Sequence, residues 1–271
     1  MVLESLINPN LTIKKSIALG AVGILYALVA GVVAYVMFEP YASIVMVFLT
    51  VIACAPFMYA LVQREGEIDV SLKGRRNFFN EYGVVTKGLV VLFLGITLGY
   101  LTLFLTAPQA VQSHMFDAQQ STITAINGRV TVSGMFFDIF TNNMQVLAIS
   151  LLFSLLYGIG AITIIVWNSS VIATALGNFV HLHQTQVTFG GAFMWGFTRY
   201  FIHGIPEMAG YMVAGLAGGI LSVAIMHYGW GTKQSKKVMW DAVQLMVLAG
   251  LLIFIGALIE STITPMLYRL T

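Results

Sequence analysis

The nine residues Arg199-Tyr200-Phe201-Ile202-His203-Gly204-Ile205-Pro206-Glu207 bring three ionisable side chains into the most apolar part of the chain. A lipid-embedded segment excludes such groups unless they are paired or used. Gly204 and Pro206 punctuate the stretch. Proline has no amide to donate and its ring clashes with the carbonyl four residues back, yet it suits the first position of a new helix. The spacing therefore predicts one helix ending near His203 and another starting at Pro206. Glu207 would then lie in the first turn of the second helix, where the positive end of the macrodipole and the unpaired N–H groups favour a carboxylate. Arg199 and His203, four apart, would share a face of the first helix.

The rest of the chain sets that stretch in a membrane. Of its 271 residues 58% are hydrophobic and 9% are charged, with a mean hydropathy of +0.88, whereas soluble domains carry about 25% charged residues. A net charge of +2 with no basic cluster interleaved with aromatics excludes a nucleic-acid partner. The single cysteine, Cys54, lies in an apolar run, so neither an internal disulfide nor a cysteine metal site is available. The first apolar run is too long for a signal-peptide core and no small-residue cleavage pattern follows it, so a retained first membrane helix is expected.

About 20 apolar residues are needed to cross roughly 30 Å of hydrocarbon. Five stretches meet this, about 16–38, 41–62, 85–106, 143–167 and 241–260, and a sixth, about 206–226, starts inside the opening stretch. Glu39 and Pro40 separate the first two, which predicts a tight helical hairpin. Arg64, Lys73, Arg75 and Arg76 mark the loop 63–84 as cytoplasmic, and Lys14 and Lys15 do the same for the N-terminus. The segment 107–141 then lies outside, and the fourth span returns the chain to the cytoplasm near Asn168.

Lys233, Lys236 and Lys237 also belong in the cytoplasm by the positive-inside rule. The chain between Asn168 and Lys233 must therefore go out and come back. With 206–226 as the return leg, the outward leg is 188–203, whose sixteen residues span only about 24 Å. This predicts a re-entrant or hairpin element over 188–226, with its turn at His203–Glu207 inside the protein. Ser169 to His183 reads either as a continuation of the fourth helix or as an interfacial helix. In the outer segment, Asn127-Gly128 between two β-rich runs fits a hairpin, while the residues from Gln109 to Gln120 fit an amphipathic helix over 107–126, which is preferred.

Small residues recur at four-residue spacing as Gly23, Ala27 and Gly31, and as Gly215 and Gly219, which lets helix backbones approach closely in lipid, within one chain or between copies. Ionisable and amide groups inside spans are the candidate site: Arg199, His203, Glu207, Glu260 and Asn168. Each also has a structural role open to it. Glu207 can cap its own helix and pair with Arg199 or His203; His203 can hold the turn by one hydrogen bond; Glu260, near a helix C-terminus, needs a cationic partner if buried. Asn142 and Asn143 read as capping residues. His181 and His183, two apart, share a face only on a strand, which argues against a metal site. No His-Glu-x-x-His, Gly-x-Ser-x-Gly or phosphate-loop pattern is present, so the reading leans away from an enzyme and no cofactor is expected.

Several of these stretches resemble the stage II sporulation protein M family in its archaeal form. They are Asn142-Asn143-Met144-Gln145-Val146, Tyr157-Gly158-Ile159-Gly160-Ala161, Trp167-Asn168-Ser169-Ser170, His203-Gly204-Ile205-Pro206-Glu207, Ala214-Gly215-Leu216-Ala217-Gly218-Gly219, and Ala257-Leu258-Ile259-Glu260 with Thr264-Pro265. Ser169 stands where many members have glycine. Residues 1–62 look like the N-terminal hairpin of archaeal members, and 85–271 would form the family core. The resemblance implies an all-α polytopic membrane bundle of five to seven helices, and a bacterial relative that acts as a scaffold with cell-wall hydrolases during septal wall remodelling.

Two functions follow. One is a non-enzymatic scaffold or assembly factor of the cell envelope; the other is a transporter or channel using Glu207 and His203 at a broken helix pair. An intramembrane hydrolase stands third. Expected partners are the lipid bilayer, with a second membrane protein or another copy of the chain. The expected location is the cell membrane, N-terminus cytoplasmic and C-terminus extracytoplasmic.

Overall fold

The structure, a computed structural model, describes residues 16–71, 78–127, 135–157 and 160–264. Nine α-helices follow one another among them: α1 (Ser16–Phe38), α2 (Ala42–Ser71), α3 (Phe78–Thr106), α4 (Gln109–Met115), α5 (Asp117–Asn127), α6 (Met135–Tyr157), α7 (Ala161–His183), α8 (Phe189–Tyr228) and α9 (Lys233–Thr262). No strand occurs among the described residues. The all-helical, polytopic expectation holds.

Six helical stretches are long and apolar enough to cross a membrane. The first, Ala18–Met58, is 41 residues long and turns at a short 3-10 helix, Glu39–Tyr41, with α1 packed on α2. It is the hairpin that Glu39-Pro40 predicts. Counting it twice gives seven crossings. The expected loop 63–84 is shorter than its charges suggest, since helix continues to Ser71 and resumes at Phe78. Lys14, Lys15, Lys73, Arg75, Arg76 and Arg129 lie outside the described residues.

Two expectations are corrected. The fourth span does not run on to Asn168. It ends at Tyr157, and a new helix begins at Ala161, whose backbone N–H donates to Ser154 Oγ at 3.0 Å. A side chain on Gly160 would collide with Phe153, so the reversal needs glycine there. Ser169–His183 is accordingly part of a spanning helix, α7. The two legs between Tyr157 and Lys233 are α7 and the whole of α8.

The second correction concerns the re-entrant element. Residues 189–228 form one 40-residue helix with Pro206 inside it, about 60 Å long at 1.5 Å per residue. The helix begins where Thr188 caps it, Oγ1 accepting from Gly191 N at 3.2 Å. Pro206 costs one donor, the one owed to the Ile202 carbonyl. A true break would instead orphan about four N–H and four C=O groups at new helix ends in lipid, each costing several kcal/mol. Continuing the helix is the cheaper solution, and neighbours line both halves: Ile172 of α7 lies beside Gly204, Leu176 beside Gly196 and Ile253 of α9 beside Gly210.

The outer segment is helical as preferred, in two short pieces, α4 and α5. Residues 121–127 belong to α5 rather than to a hairpin, and Arg129-Val130-Thr131-Val132 lies outside the described residues. Gln119, fully buried, fastens α5 to the bundle: its Oε1 accepts from Ser43 Oγ of α2 at 2.8 Å and its Nε2 donates to Ser170 Oγ of α7 at 3.1 Å. Gln120 and Asn178 exchange amide hydrogen bonds at 3.0 and 2.9 Å beside it.

Small residues set the closest helix contacts. The Cβ a side chain would add at Gly23 falls 2.8 Å from the Leu92 carbonyl oxygen and 2.9 Å from the Ile96 nitrogen, so α1 and α3 meet backbone to backbone. Ala27 is fully buried against Gly99, and Gly31 lies under Leu103 and Met115. On α8, Gly215 faces Ala161, Gly218 faces the Leu151 carbonyl and Gly219 is buried. These contacts all lie within one chain.

Candidate functional site

Three helices bring polar side chains together beside the middle of α8. Asn143 projects from α6, two turns past its start, and is buried. Its Nδ2 donates to Glu207 Oε1 at 2.8 Å, and its Oδ1 accepts from Tyr211 Oη at 2.9 Å. Glu207 and Tyr211, four apart on α8, present one face, which is the spacing a continuous helix provides. On the far side the Glu207 carboxyl lies against that of Glu260 in the last turn of α9. Gly256, one turn earlier, makes room, since any side chain there would collide with Glu207 Cγ. One turn N-terminal on α8, His203 Nδ1 lies 3.3 Å from Thr264 Oγ1, just beyond α9.

Donor arithmetic fixes the chemistry. An ionised carboxylate only accepts, so Glu207 and Glu260 can bond to each other directly only while one of them carries a proton. Asn143 spends a donor on Glu207 and receives Tyr211 on its oxygen, which makes it the joint of a chain running Tyr211, Asn143, Glu207, with Glu260 beside its end. Ser150 of α6 adds a second tie to α8, donating to the Tyr211 carbonyl at 3.0 Å.

The structure assembles Glu207, Glu260 and His203 at the α8–α9 seam and separates the other sequence candidates from it. Glu207 is not at a helix start; it lies eighteen residues into α8, so the dipole argument for it does not apply, and Asn143 and Glu260 are its partners instead. Arg199 is two turns of α8 away, about 12 Å along the axis, too far to pair with Glu207. Its guanidinium lies over the Phe179 and Tyr200 rings, 5.2 and 5.6 Å from their centroids. Asn168 donates to Ile164 of its own helix at 2.8 Å and is not bonded to the cluster. Gly204 and Pro206 lie within the helix, not at a break. The Glu260 partner is a carboxyl, where the sequence called for a cation.

Three members of the site were not singled out by sequence: Asn143, read as a cap, Tyr211 and Gly256. The available signal was spacing, since Tyr211 is four past Glu207 and Gly256 four before Glu260. His181 and His183 lie on the helical α7, His181 against the Phe104 ring and His183 stacked on Phe179. No group of three metal-ligating side chains occurs among the described residues.

A family model described as Stage II sporulation protein M matches residues 88–265, more than half of the chain and all of α4 to α9. No curated protein and no solved structure matches.

Proposed function

The chain belongs to the stage II sporulation protein M family, and from that premise we propose that it is a non-enzymatic membrane scaffold or assembly factor of the cell envelope. The observation that carries this reading is the engagement of Glu207: its carboxyl is met by Asn143 from α6 and Glu260 from α9. A half-buried carboxyl supplied with partners from both neighbouring helices has a role without any substrate, namely locking α6, α8 and α9 in one arrangement. Such a lock gives a rigid platform, which is what a scaffold needs. With seven crossings, the helix ends at Ser16, Ser71, Phe78, Tyr157, Ala161 and Lys233 share one side, and Lys233, Lys236 and Lys237 support a cytoplasmic location for it.

Purification from native membranes in mild detergent is expected to return a second membrane protein in fixed ratio, with both the parent and the Glu207→Gln/Glu260→Gln variant. Recovery of this chain by itself would overturn the scaffold reading. A second reading, proton-linked transport, draws on one specific feature, the two carboxyls side by side within spanning helices. Its check is proton leak into proteoliposomes under an imposed membrane potential, followed with a trapped pH dye. Parent leak at the protein-free level removes transport; leak abolished by Glu207→Gln removes the scaffold-only reading.

A further inference from the structure

The turn joining α8 to α9 is separate from the carboxyl cluster and lies at the other end of the spans. Leu221 and Ile225 of α8 and Met239 of α9 supply the apolar lining of a groove there that Trp230, Ser235 and Lys236 also line. Gly229 and Gly231, with φ of 75° and 80°, occupy the left-handed region that favours glycine, and the residue between them, Trp230, is left 77% exposed. Tryptophan in such a place marks a membrane–water interface.

The charges beside the groove are placed against the helix that carries them. Lys233, Lys236 and Lys237, all exposed, occupy positions one, four and five of α9, where the positive end of the macrodipole disfavours cations. Asp241 is the one carboxylate between residues 227 and 241, and the Gln244 amide donates to it at 3.3 Å. Ser235 is buried and bonded to Thr232. A helix start shaped only for stability would carry acids in its first turn; this one carries cations above an apolar slot. A free anion has no use for the slot, and a neutral acyl chain has no use for the lysines.

We propose that the α8–α9 turn binds an anionic phospholipid, one acyl chain in the groove between Leu221, Ile225 and Met239 and the headgroup phosphate at Lys233 and Lys236. Trp230 packs at the glycerol level and closes the mouth. The site is independent of the carboxyl cluster.

The test is fluorescence quenching of the whole protein in phosphatidylcholine vesicles containing either brominated phosphatidylglycerol or brominated phosphatidylcholine at equal mole fraction. The Trp230 contribution is the difference between the parent and Trp230→Phe. The anionic lipid is expected to reach half-quenching at a several-fold lower mole fraction. Lys233→Gln and Lys236→Gln are each expected to raise that fraction about fivefold, and added salt to raise it further. Both lysines are solvent-exposed, and an unchanged helical circular dichroism spectrum shows that the variants fold. Equal quenching by the two lipids overturns the proposal, as does a preference that survives both substitutions. Complete displacement by soluble glycerol phosphate also overturns it, in favour of a simple anion site.

Discussion

The polar network under the outer helices and the one between α6, α8 and α9 are built to the same plan with different chemistry. Gln119 joins α5 to Ser43 of α2 and Ser170 of α7 using an amide and two hydroxyls. Asn143 joins α6 to α8 and, through Glu207, to Glu260 of α9. Each places an amide side chain at the centre with a partner on either side. The first shows that three helices of this protein can be tied together without any ionisable group. What distinguishes the second is two carboxyls, so anything beyond a tie must reside in them.

That contrast can be broken by substitution. The largest effect is expected for Gln119→Ala, which takes the acceptor from the Ser43 hydroxyl, removes the donor to Ser170 and leaves a cavity where a fully buried side chain was, and should cost about 3 kcal/mol in reversible unfolding from mixed micelles; a loss under about 1 kcal/mol would mean the outer helices are held by packing instead. Next comes the Glu207 pair. Glu207→Ala leaves the Asn143 amide without its acceptor and should cost about 2 kcal/mol, whereas Glu207→Gln keeps an acceptor for Asn143 and should change stability by less than about 0.5 kcal/mol if the second network is also only a tie. A full loss of stability in the Gln variant would show that the carboxyl is needed in its own right. Smaller than either alanine substitution, about 0.6 kcal/mol, is the effect expected for Tyr211→Phe, and a double-mutant cycle with Asn143→Ala should return most of it as coupling between the two residues.

The bundle is legible in the sequence because its signal is long: runs of apolar residues at least as long as a bilayer is thick. Glu207, Glu260 and His203 stand out for the complementary reason, since charge in such a run is rare. The failures are local signals that tertiary structure outweighed. Pro206 reads as a helix start, but in lipid one missing donor costs less than two new helix ends. The end of α6 at Tyr157 was hidden by the opposite effect, because Tyr157-Gly158-Ile159-Gly160-Ala161 is apolar enough to pass for the interior of a span. Asn143 looked like a cap because it sits near the start of an apolar run; its partners, 64 and 68 residues away, cannot be seen from that position.

The uninterrupted α8 has a mechanical consequence. At about 60 Å it is roughly twice as long as the hydrocarbon is thick, and α6 and α9 grip it near the middle through Asn143 and Glu260. Contacts run along both halves, and Pro206, one residue before the grip, removes a backbone hydrogen bond at the point where helices bend. The half that starts at Thr188 and the half that ends at Tyr228 therefore meet at a hinge, and a bend of ten degrees there carries either end about 5 Å, given the helix rise.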